Sequence, residues 1–376
     1  QISALPMFSE DMLGFLAELS RKLMEHPESR RYQDIMAYAY WIRKSSLERE
    51  KNKYADKSLR LGRGVTFHIA PSNVPINFAV SMTSALLAGN AVIIRVSDKS
   101  FRQVELVCEV MNHLLTEQYE KLRPYFCIIR YPHDEQITKD LSALCDVRII
   151  WGGDETIRRI RHIPLPARSI ELTFADRHSI ALIDAETYMQ QDAEVIAKQF
   201  YTDTYYSDQN ACSSPRLVVW LGRDRERASE RFWNVMGELV REQYPLRPIQ
   251  AVDKYSAFTQ LAMHQKGVKI TSHDNYIVRV QLEKLDENIM SYKLYGGYFF
   301  ECYADELTDI LPVLDKRCQT VSLLGVDAGA VSKLVVQNGV RGVDRIVPFG
   351  QTMGLEFVWD GFRMIEAMTR LLYVYE

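Results

Sequence analysis

The amino-acid sequence predicts an α/β protein made of two doubly wound domains with a helical N-terminal segment. Three observations support this fold class. Apolar residues recur at helical spacing in the first fifty residues, short apolar strands then alternate with helical segments, and that alternation starts again near residue 179. Strands that alternate with helices form parallel sheets, because each crossover helix covers one face of the sheet. The 376 residues are enough for two domains of ordinary size.

The predicted elements follow one another in a regular order. Two N-terminal helices cover about residues 12–23 and 32–49. In the first domain, strands and helices alternate, beginning with a strand, at residues 65–69, 75–87, 91–95, 99–115, 126–130, 134–144, 147–151 and 155–162. In the second domain, helices at residues 187–201 and 224–244 accompany strands at residues 180–183, 217–221, 268–271, 277–282, 298–303 and 319–324. We place the domain boundary near Ala175.

Composition places the chain among soluble globular proteins. Hydrophobic residues make up 47% and charged residues 25%, and the net charge of −3 gives no reason to expect binding to nucleic acid or anionic lipid. No apolar run reaches the roughly 18–20 residues that span a bilayer, and the first residues do not resemble a secretory signal. Cysteines without CxxC spacing argue against disulfides and against a metal site. We therefore expect a cytoplasmic protein.

The candidate nucleophile is Cys212. It lies in the segment Asp-Gln-Asn-Ala-Cys-Ser-Ser-Pro-Arg at residues 208–216, just before a predicted strand. Small and polar neighbours on a loop suit a thiol that a substrate must reach. A lone cysteine is more often an inert buried side chain, which is our interpretation of Cys108, Cys127 and Cys145.

Other segments place polar groups at the ends of predicted strands. Asn73, in Ala-Pro-Ser-Asn-Val-Pro at residues 70–75, either belongs to a capped turn or donates its amide to an oxyanion. Ser97 and Asp98 follow a strand at the edge where open α/β sheets bind ligands. The Gly152-Gly153 turn precedes a helix whose free N–H groups suit a pyrophosphate. His68, inside a strand, is interpreted as a core residue.

Taken in order, these segments resemble the aldehyde dehydrogenase superfamily. Asn73 matches its oxyanion motif, residues 88–98 match its cofactor motif, and Gly153 matches its pyrophosphate motif. The other matches are residues 170–172 for the general base, 209–212 for the nucleophile and 347–350 for the late Pro-Phe-Gly motif. The resemblance is closer to the LuxC acyl-CoA reductase branch, through residues 72–75, 210–215, 319–322 and 348–361. It covers roughly residues 60–365 and implies an aldehyde-dehydrogenase-like fold.

The resemblance implies that Cys212 captures an acyl group from a fatty acyl-CoA or an acylated protein, and that NADPH reduces the resulting thioester to a fatty aldehyde. It gives Asn73 the role of oxyanion donor and Glu171 that of acid/base. The cofactor-binding residues that it implies are Arg95, Ser97, Asp98, Gly153, Asp154 and, at the nicotinamide ribose, Glu301.

The order of the elements and the resemblance together predict a domain division and partners. Residues 1–175 would carry the N-terminal helices and the cofactor-binding domain, and residues 176–345 the catalytic cysteine. Residues 346–376 would pack back on the interface between cofactor and catalytic domains. An acyl-protein synthetase partner and a homo-oligomer belong to this expectation, whereas nucleic acid and a membrane span do not.

Departures from the family pattern leave alternatives open. Arg95 replaces the usual lysine, and Thr173-Phe174 replaces the Gly-Gly that follows Glu171. Asp98 would repel a 2′-phosphate and so favours NADH, unless Lys99 and Arg102 offset its charge. A hydrolytic aldehyde dehydrogenase, in which water deacylates Cys212, is one alternative. An acyl-binding or acyl-transfer protein without redox activity is another.

Overall fold

A computed structural model describes residues 2–54, 59–271 and 274–375 of the chain. Contacts between residues divide the chain into two compact units. The first unit holds the residues up to Asp176 together with those from Leu355 onward, and the second unit holds Arg177–Gly354. The functional division at residues 175 and 345 stays a prediction, as does the packing of residues 346–376 on an interface between domains.

Helices open the first unit, and strands then alternate with helices. Its helices are α1 (Glu10–Glu25), α2 (Gln33–Trp41), α3 (Lys44–Asn52), α4 (Asn77–Leu87), α5 (Arg102–Glu117), α6 (Glu135–Leu144) and α7 (Asp154–Arg161). Its strands are β1 (Arg60–Gly62), β2 (Val65–Ile69), β3 (Ala91–Arg95), β4 (Phe126–Ile129), β5 (Val147–Trp151) and β6 (Ile170–Phe174). The predicted helix at residues 32–49 is divided into α2 and α3, because Arg43 has an extended backbone.

The strand order makes the first sheet doubly wound. Strands β2 to β6 are parallel and lie in the order β4-β3-β2-β5-β6. The chain moves outward from β2 to β4 and then crosses to β5, so β2 and β5 flank the point where the winding reverses. Apolar clusters cover both faces, one with Val92 and Ile94 and the other with Phe67 and Ile69. In such sheets ligands bind outside the carboxyl ends of the strands at this point.

The second unit repeats the doubly wound arrangement around a longer sheet. Its helices are α8 (Ala185–Gln190), α9 (Ala193–Asp203), α10 (Arg225–Gln243), α11 (Pro248–His264) and α12 (Ala328–Gln337). Its strands are β7 (His178–Asp184), β8 (Pro215–Leu221), β9 (Val268–Ile270), β10 (Val278–Leu282), β11 (Tyr298–Tyr303), β12 (Cys318–Leu324) and β13 (Arg345–Pro348). They lie in the order β13-β12-β7-β8-β11-β10-β9, and β9 pairs antiparallel with β10 whereas the other neighbours pair in parallel.

Some helices of the second unit differ from the sequence prediction. The predicted helix at residues 187–201 is interrupted, because the Asp192 carboxylate accepts a hydrogen bond from the Glu194 N–H (2.9 Å) and begins α9. The sequence analysis missed α11 and α12. In α11 the exposed side carries apolar residues such as Ile249 and Val252, 58% and 59% exposed, so the sequence has no clear division into an apolar and a polar face.

The last segment of the chain returns to the first unit. It contains β14 (Val358–Trp359), β15 (Phe362–Arg363), α13 (Met364–Ala367) and β16 (Thr369–Leu371). Strand β16 pairs antiparallel with β1, and the Asn90 side-chain amide donates to the Met368 carbonyl (3.0 Å). The Phe357 ring stacks on Trp41 with 4.4 Å between centroids. Residues near both ends of the chain therefore stabilise the same unit.

The described residues contain no cluster of three or more His, Cys, Asp or Glu side chains that could hold a metal ion. Over the same part of the chain, no helix is both long and apolar enough to cross a bilayer.

Glu301 lies in the core of the second unit, on β11, and is fully buried. One carboxylate oxygen accepts hydrogen bonds from Trp220 Nε1 (2.8 Å), Ser229 Oγ (2.6 Å) and Trp233 Nε1 (2.7 Å). The other oxygen accepts from Arg279 Nη2 (2.8 Å). A carboxylate enclosed in this way has no surface for a ribose hydroxyl. The binding of the cofactor by Glu301 stays a prediction, and these contacts weigh against it, because the same residue balances a buried arginine.

We expect Glu301→Gln to lower the free energy of unfolding by about 3 kcal/mol or more, because it leaves the buried charge of Arg279 without its buried counter-ion. Urea denaturation measures this change. The matched control is Glu230→Gln, which removes the other carboxylate partner of Arg279, a side chain that is 54% exposed. That variant should lose at most about 1 kcal/mol. Weakened NADPH binding by Glu301→Gln at unchanged stability would restore the sequence prediction.

Candidate active site

Cys212 lies half-buried on a loop at the amino end of β8. Its carbonyl oxygen accepts a hydrogen bond from Ser179 Oγ (2.7 Å), and that hydroxyl in turn accepts from the Thr320 N–H (3.2 Å). Ser179 and Thr320 belong to β7 and β12. Two buried strands of the sheet therefore hold the backbone of the nucleophile loop beside the thiol.

Gln209 secures the same loop from the other side. It is fully buried, and its side-chain amide donates to the carbonyls of Pro215 (3.0 Å) and Tyr298 (3.2 Å). Its side-chain oxygen accepts from the N–H groups of Gly297 (3.0 Å) and Tyr298 (3.3 Å). Gly297 is required here, because a Cβ at its φ of +88° would lie 2.2 Å from the Tyr276 carbonyl. The segment 209–212, which matches the nucleophile motif, thus includes a residue whose role is to shape the loop.

Asp203 connects the late Pro-Phe-Gly segment to the end of α9. Its buried carboxylate accepts hydrogen bonds from the N–H groups of Gly350 (2.8 Å) and Thr352 (3.0 Å). Burial raises the pKa of Asp203 to about 6. The segment that it holds reaches the nucleophile loop, where Ser213 Oγ lies 3.6 Å from Met353 Sδ. Sequence analysis did not identify Asp203, because nothing in its local sequence marks a carboxylate that binds a segment almost 150 residues away.

In the first unit, the structure brings several predicted site residues to one edge of the sheet. Asn73 lies in the loop after β2, Ser97 and Asp98 follow β3, and Gly153 and Asp154 follow β5. Strands β2 and β5 are the pair at which the winding reverses. Asn73 is exposed and lies three residues before Ile76, which is the N-cap of α4, so its side chain is not the cap of that helix.

The charges around Asp98 differ from those that the sequence predicts. The Asp98 carboxylate accepts a hydrogen bond from Arg95 Nη2 (3.2 Å), which also donates to the Tyr131 carbonyl (3.2 Å). Arg102, predicted to offset Asp98, is bound instead to Glu28 (2.7 Å) and Glu109 (2.7 Å). The role of Arg102 stays a prediction, and these ion pairs weigh against it, because two carboxylates already balance its guanidinium group. Ser97 Oγ accepts from the Lys99 N–H (3.2 Å), and Lys99 itself is exposed.

A cavity of about 120 Å³ lies over the carboxyl ends of β2 and β3, between α6 and α7. Its lining includes the guanidinium groups of Arg95 and Arg159, and Arg159 Nη2 donates to His133 Nδ1 (3.3 Å). The lining also has two acidic residues, Asp134 and Glu135, and the Asp134 carboxylate caps α6 through the Ile137 N–H (3.0 Å). Two arginines in one cavity suit a phosphorylated ligand.

Gly153 leaves room for a ligand at the start of α7. A Cβ built at this position meets nothing within 4 Å, and its φ of −66° is open to any residue. Nothing in the described part of the chain therefore requires a glycine here, and free space beside helix N–H groups fits the approach of a pyrophosphate. The Asp154 and Glu155 carboxylates in the first turn of α7 already interact with the helix dipole, which reduces the attraction for an anion. Together with the arginine-lined cavity, these residues fit a dinucleotide.

Glu171 is held in ion pairs on β6. Its oxygens accept hydrogen bonds from Arg148 Nη2 (2.5 Å) and Arg161 Nε (2.8 Å). Arg148 is buried, so Glu171 balances a charge that has no access to water. The acid/base role of Glu171 stays a prediction, and these ion pairs weigh against it.

The remaining predictions for single residues concern the core. His68 is fully buried between Ser81 and Thr66, and burial lowers its pKa to about 3, which confirms its interpretation as a core residue. Burial raises the pKa of Cys108 and Cys145 to about 11. Cys127 is exposed, so its interpretation as a buried side chain is wrong, although partial burial raises the pKa of its thiol as well. These thiols have little thiolate character near neutral pH.

Comparisons with known proteins identify the family of the chain. Residues 1–371 match the family model described as acyl-CoA reductase (LuxC). The chain is similar to a long-chain acyl-protein thioester reductase of Aliivibrio fischeri, 26% identical over 309 residues, which cover 77% of this chain and 58% of that protein. A protein of the same name from Photorhabdus laumondii is 22% identical over 304 residues, again covering 77% and 58%.

Solved structures show the fold. A NAD-dependent benzaldehyde dehydrogenase from Corynebacterium glutamicum superposes with a TM-score of 0.69 at 12% identity, over 97% of this chain and 84% of that one. The 1-pyrroline-5-carboxylate dehydrogenase of Thermus thermophilus has a TM-score of 0.66 at 12% identity, over 95% and 77%. The chain therefore has the aldehyde dehydrogenase fold, as its sequence predicts.

We expect Asp203→Asn to remove a pH dependence of stability. Because the folded protein holds the Asp203 proton up to about pH 6 and the unfolded chain only to about pH 4, the wild type should lose stability between these values as pH rises. The slope should approach 1.4 kcal/mol per pH unit. Urea denaturation of both proteins at pH 4.5, 6 and 7.5 measures the difference. A difference in stability that stays constant with pH would contradict the raised pKa of Asp203.

Proposed function

The chain belongs to the acyl-CoA reductase (LuxC) family, and we propose that it reduces a long-chain acyl thioester to an aldehyde with NADPH, through an S-acyl intermediate on Cys212. The observation that carries the proposal is the half-buried Cys212 on a loop that Ser179 and Gln209 hold in place. The matched region covers 58% of the length of two curated relatives. The activity, substrate and partners of those proteins therefore enter here only as part of the proposal.

In the proposed reaction, Cys212 acts twice. Its thiolate attacks the acyl carbonyl, and the tetrahedral oxyanion collapses with release of the donor thiolate, which leaves an S-acyl cysteine. The side-chain amide of Asn73 and the N–H of Cys212 would donate to the oxyanion. NADPH, when bound, supplies a hydride. Cys212 then departs as a thiolate as the aldehyde forms, and the enzyme is ready for another acyl group.

The ion pairs of Glu171 favour reduction over hydrolysis. A hydrolytic aldehyde dehydrogenase needs a base that takes a proton from water. Here both carboxylate oxygens of Glu171 accept from guanidinium groups, and releasing them would leave Arg148 buried without its partner. An S-acyl enzyme without an effective water base persists long enough to be reduced. The hydrolytic alternative is therefore the less favoured one.

The first unit supports NADPH as the cofactor. Arg95 and Arg159 line the cavity above β2 and β3, and Arg95 partly neutralises Asp98. The repulsion between Asp98 and a 2′-phosphate is reduced for this reason. Gly153, Asp154 and Ser97 complete the residues that would hold the dinucleotide. NADH remains the alternative cofactor, and kinetics with both cofactors distinguish the two.

The acyl donor of the proposal is an acylated protein or acyl-CoA, since both present a thioester to Cys212. The names of the relatives refer to an acyl-protein, and the description of the family to acyl-CoA. An acyl-protein synthetase partner and a homo-oligomer belong to the same proposal.

We expect Cys212→Ala to abolish both S-acylation by acyl-CoA and aldehyde formation, because no other thiol occupies the nucleophile loop. NADPH binding, measured by fluorescence quenching, should stay within about twofold. Intact-mass spectrometry after incubation with acyl-CoA, with and without NADPH, measures the adduct. The control is Cys127→Ala, which removes an exposed cysteine of the first unit and should leave both activities unchanged. An acyl adduct on the Cys212→Ala protein would refute the assignment.

We expect Arg159→Ala to reduce kcat/KM for NADPH about tenfold more than for NADH, the usual scale for one charged hydrogen bond. Only NADPH carries the extra phosphate. Steady-state kinetics with both cofactors measure the ratio. Arg158→Ala is the matched control, because Arg158 is adjacent on α7 and does not line this cavity. Lys99→Ala tests the residue that the sequence predicts. Equal losses with both cofactors would remove Arg159 from phosphate binding.

A further inference from the structure

The Asp208 carboxylate is the meeting point of several segments around the nucleophile loop. Tyr244 donates its hydroxyl to Oδ1, and Gln250 Nε2 donates to the same oxygen at 2.7 Å. Arg247 Nη2 donates to Oδ2 at 2.9 Å, and the Gly296 N–H donates to the backbone carbonyl of Asp208 at 3.1 Å. These donors come from the connection between α10 and α11, from the first turn of α11 and from the segment before β11.

The donors around Asp208 are themselves fixed. Gln250 is 1% exposed, and its side-chain oxygen accepts from the Arg247 N–H (2.8 Å), which caps the start of α11. Burial and the neighbouring carboxylate raise the pKa of Tyr244, so its hydroxyl keeps the proton that it donates. Arg247 adds a charge to one of these hydrogen bonds, and charge-assisted bonds are the stronger ones. Asp208 is therefore held by rigid neighbours rather than by solvent-exposed side chains alone.

The backbone at Asp208 needs such support. Asp208 and Gln209 are consecutive residues with positive φ, +55° and +56°. A non-glycine residue in this region costs about 1–2 kcal/mol, and aspartate tolerates it better than most residues. Two such residues in succession turn the chain sharply. Asp208 and Gln209 lie four and three residues before Cys212. The hydrogen bonds of the Gln209 side-chain amide fix the backbone at Gln209, and those of the Asp208 carboxylate fix the backbone at Asp208.

We propose that Asp208 is a positioning residue, which anchors the left-handed turn at residues 208–209 and thereby sets the place of the Cys212 thiol. The proposal rests on the proposed role of Cys212 as the acyl-accepting nucleophile. Asp208 acts through the loop and needs no contact with substrate. Without its carboxylate, Tyr244, Gln250 and Arg247 lose their shared acceptor and the turn relaxes. A shift of about 1 Å in a reacting group can cost roughly a hundredfold in rate.

The test compares acylation of Cys212 with its alkylation in Asp208→Ala. A p-nitrophenyl ester of a fatty acid acylates a thiol, forming a thioester and releasing nitrophenolate, without NADPH or a natural donor. We expect the burst of nitrophenolate to slow at least about tenfold. Alkylation of Cys212 by iodoacetamide, followed by peptide mass spectrometry, should change less than about threefold. This difference separates a misplaced thiol from an inaccessible one.

The matched control is Asp184→Ala. Asp184 is a half-buried aspartate of the same unit, and its carboxylate caps α8 through the Thr187 N–H (2.8 Å). Loss of the cap should lower the melting temperature without slowing the burst. An unchanged burst rate in Asp208→Ala would overturn the proposal and leave Asp208 a purely structural residue. If that variant does not fold, Tyr244→Phe removes one donor, and an unchanged burst rate there overturns the proposal equally.

The outcomes also separate this inference from the proposed function. A wild-type burst on Cys212 without NADPH-dependent aldehyde formation would refute the reductase and leave the role of Asp208 intact. A slower burst in Asp208→Ala, together with a normal burst rate in Asp184→Ala, supports the positioning role of Asp208. Absence of any Cys212 adduct in the wild type would overturn both.

Discussion

Both main sheets of this protein consist largely of parallel strands, and that constraint determines where its chemistry can lie. Consecutive parallel strands need a crossover, so helices cover both faces and the strand side chains are buried. Reactive groups are therefore confined to loops at the ends of strands. In the first unit, Asn73, Asp98 and Gly153 follow the carboxyl ends of β2, β3 and β5. In the second unit, Cys212 instead precedes the amino end of β8.

A loop outside the sheet ladder has backbone groups that need partners, and buried side chains provide them here. Gln209 binds backbone groups of Pro215, Gly297 and Tyr298. Asp203 does the same for the Pro-Phe-Gly segment, and Ser179 for the carbonyl of Cys212. The loop that carries the thiol is thus hydrogen-bonded to residues of β7 and β11, and through Ser179 to β12. Such a support explains how an irregular loop can hold a reacting atom in one place.

Three buried or partly buried carboxylates show how the type of partner decides the behaviour of a charge. Glu301 faces Arg279 in a dry core, and Glu171 lies between Arg148 and Arg161. Asp203 receives its hydrogen bonds from neutral backbone groups, and burial raises its pKa to about 6. The protonation of Asp203 is therefore expected to change near pH 6. The guanidinium partners of Glu301 and Glu171 balance the charges of these two carboxylates.

The sequence by itself determined the alternation of strands and helices, the aldehyde dehydrogenase fold and the family, because periodicity and short motifs are local properties. It also pointed to Cys212 as the candidate nucleophile. Only the tertiary structure decided which charged side chains already have ion-pair or hydrogen-bond partners within the chain. Arg102 is bound by Glu28, 74 positions away, and Glu301 by Trp220 and Arg279 from other elements. The roles of Asp203 and Asp208 emerged in the same way. A side chain's partners are set by contacts between distant segments, and these leave no pattern in the neighbouring sequence.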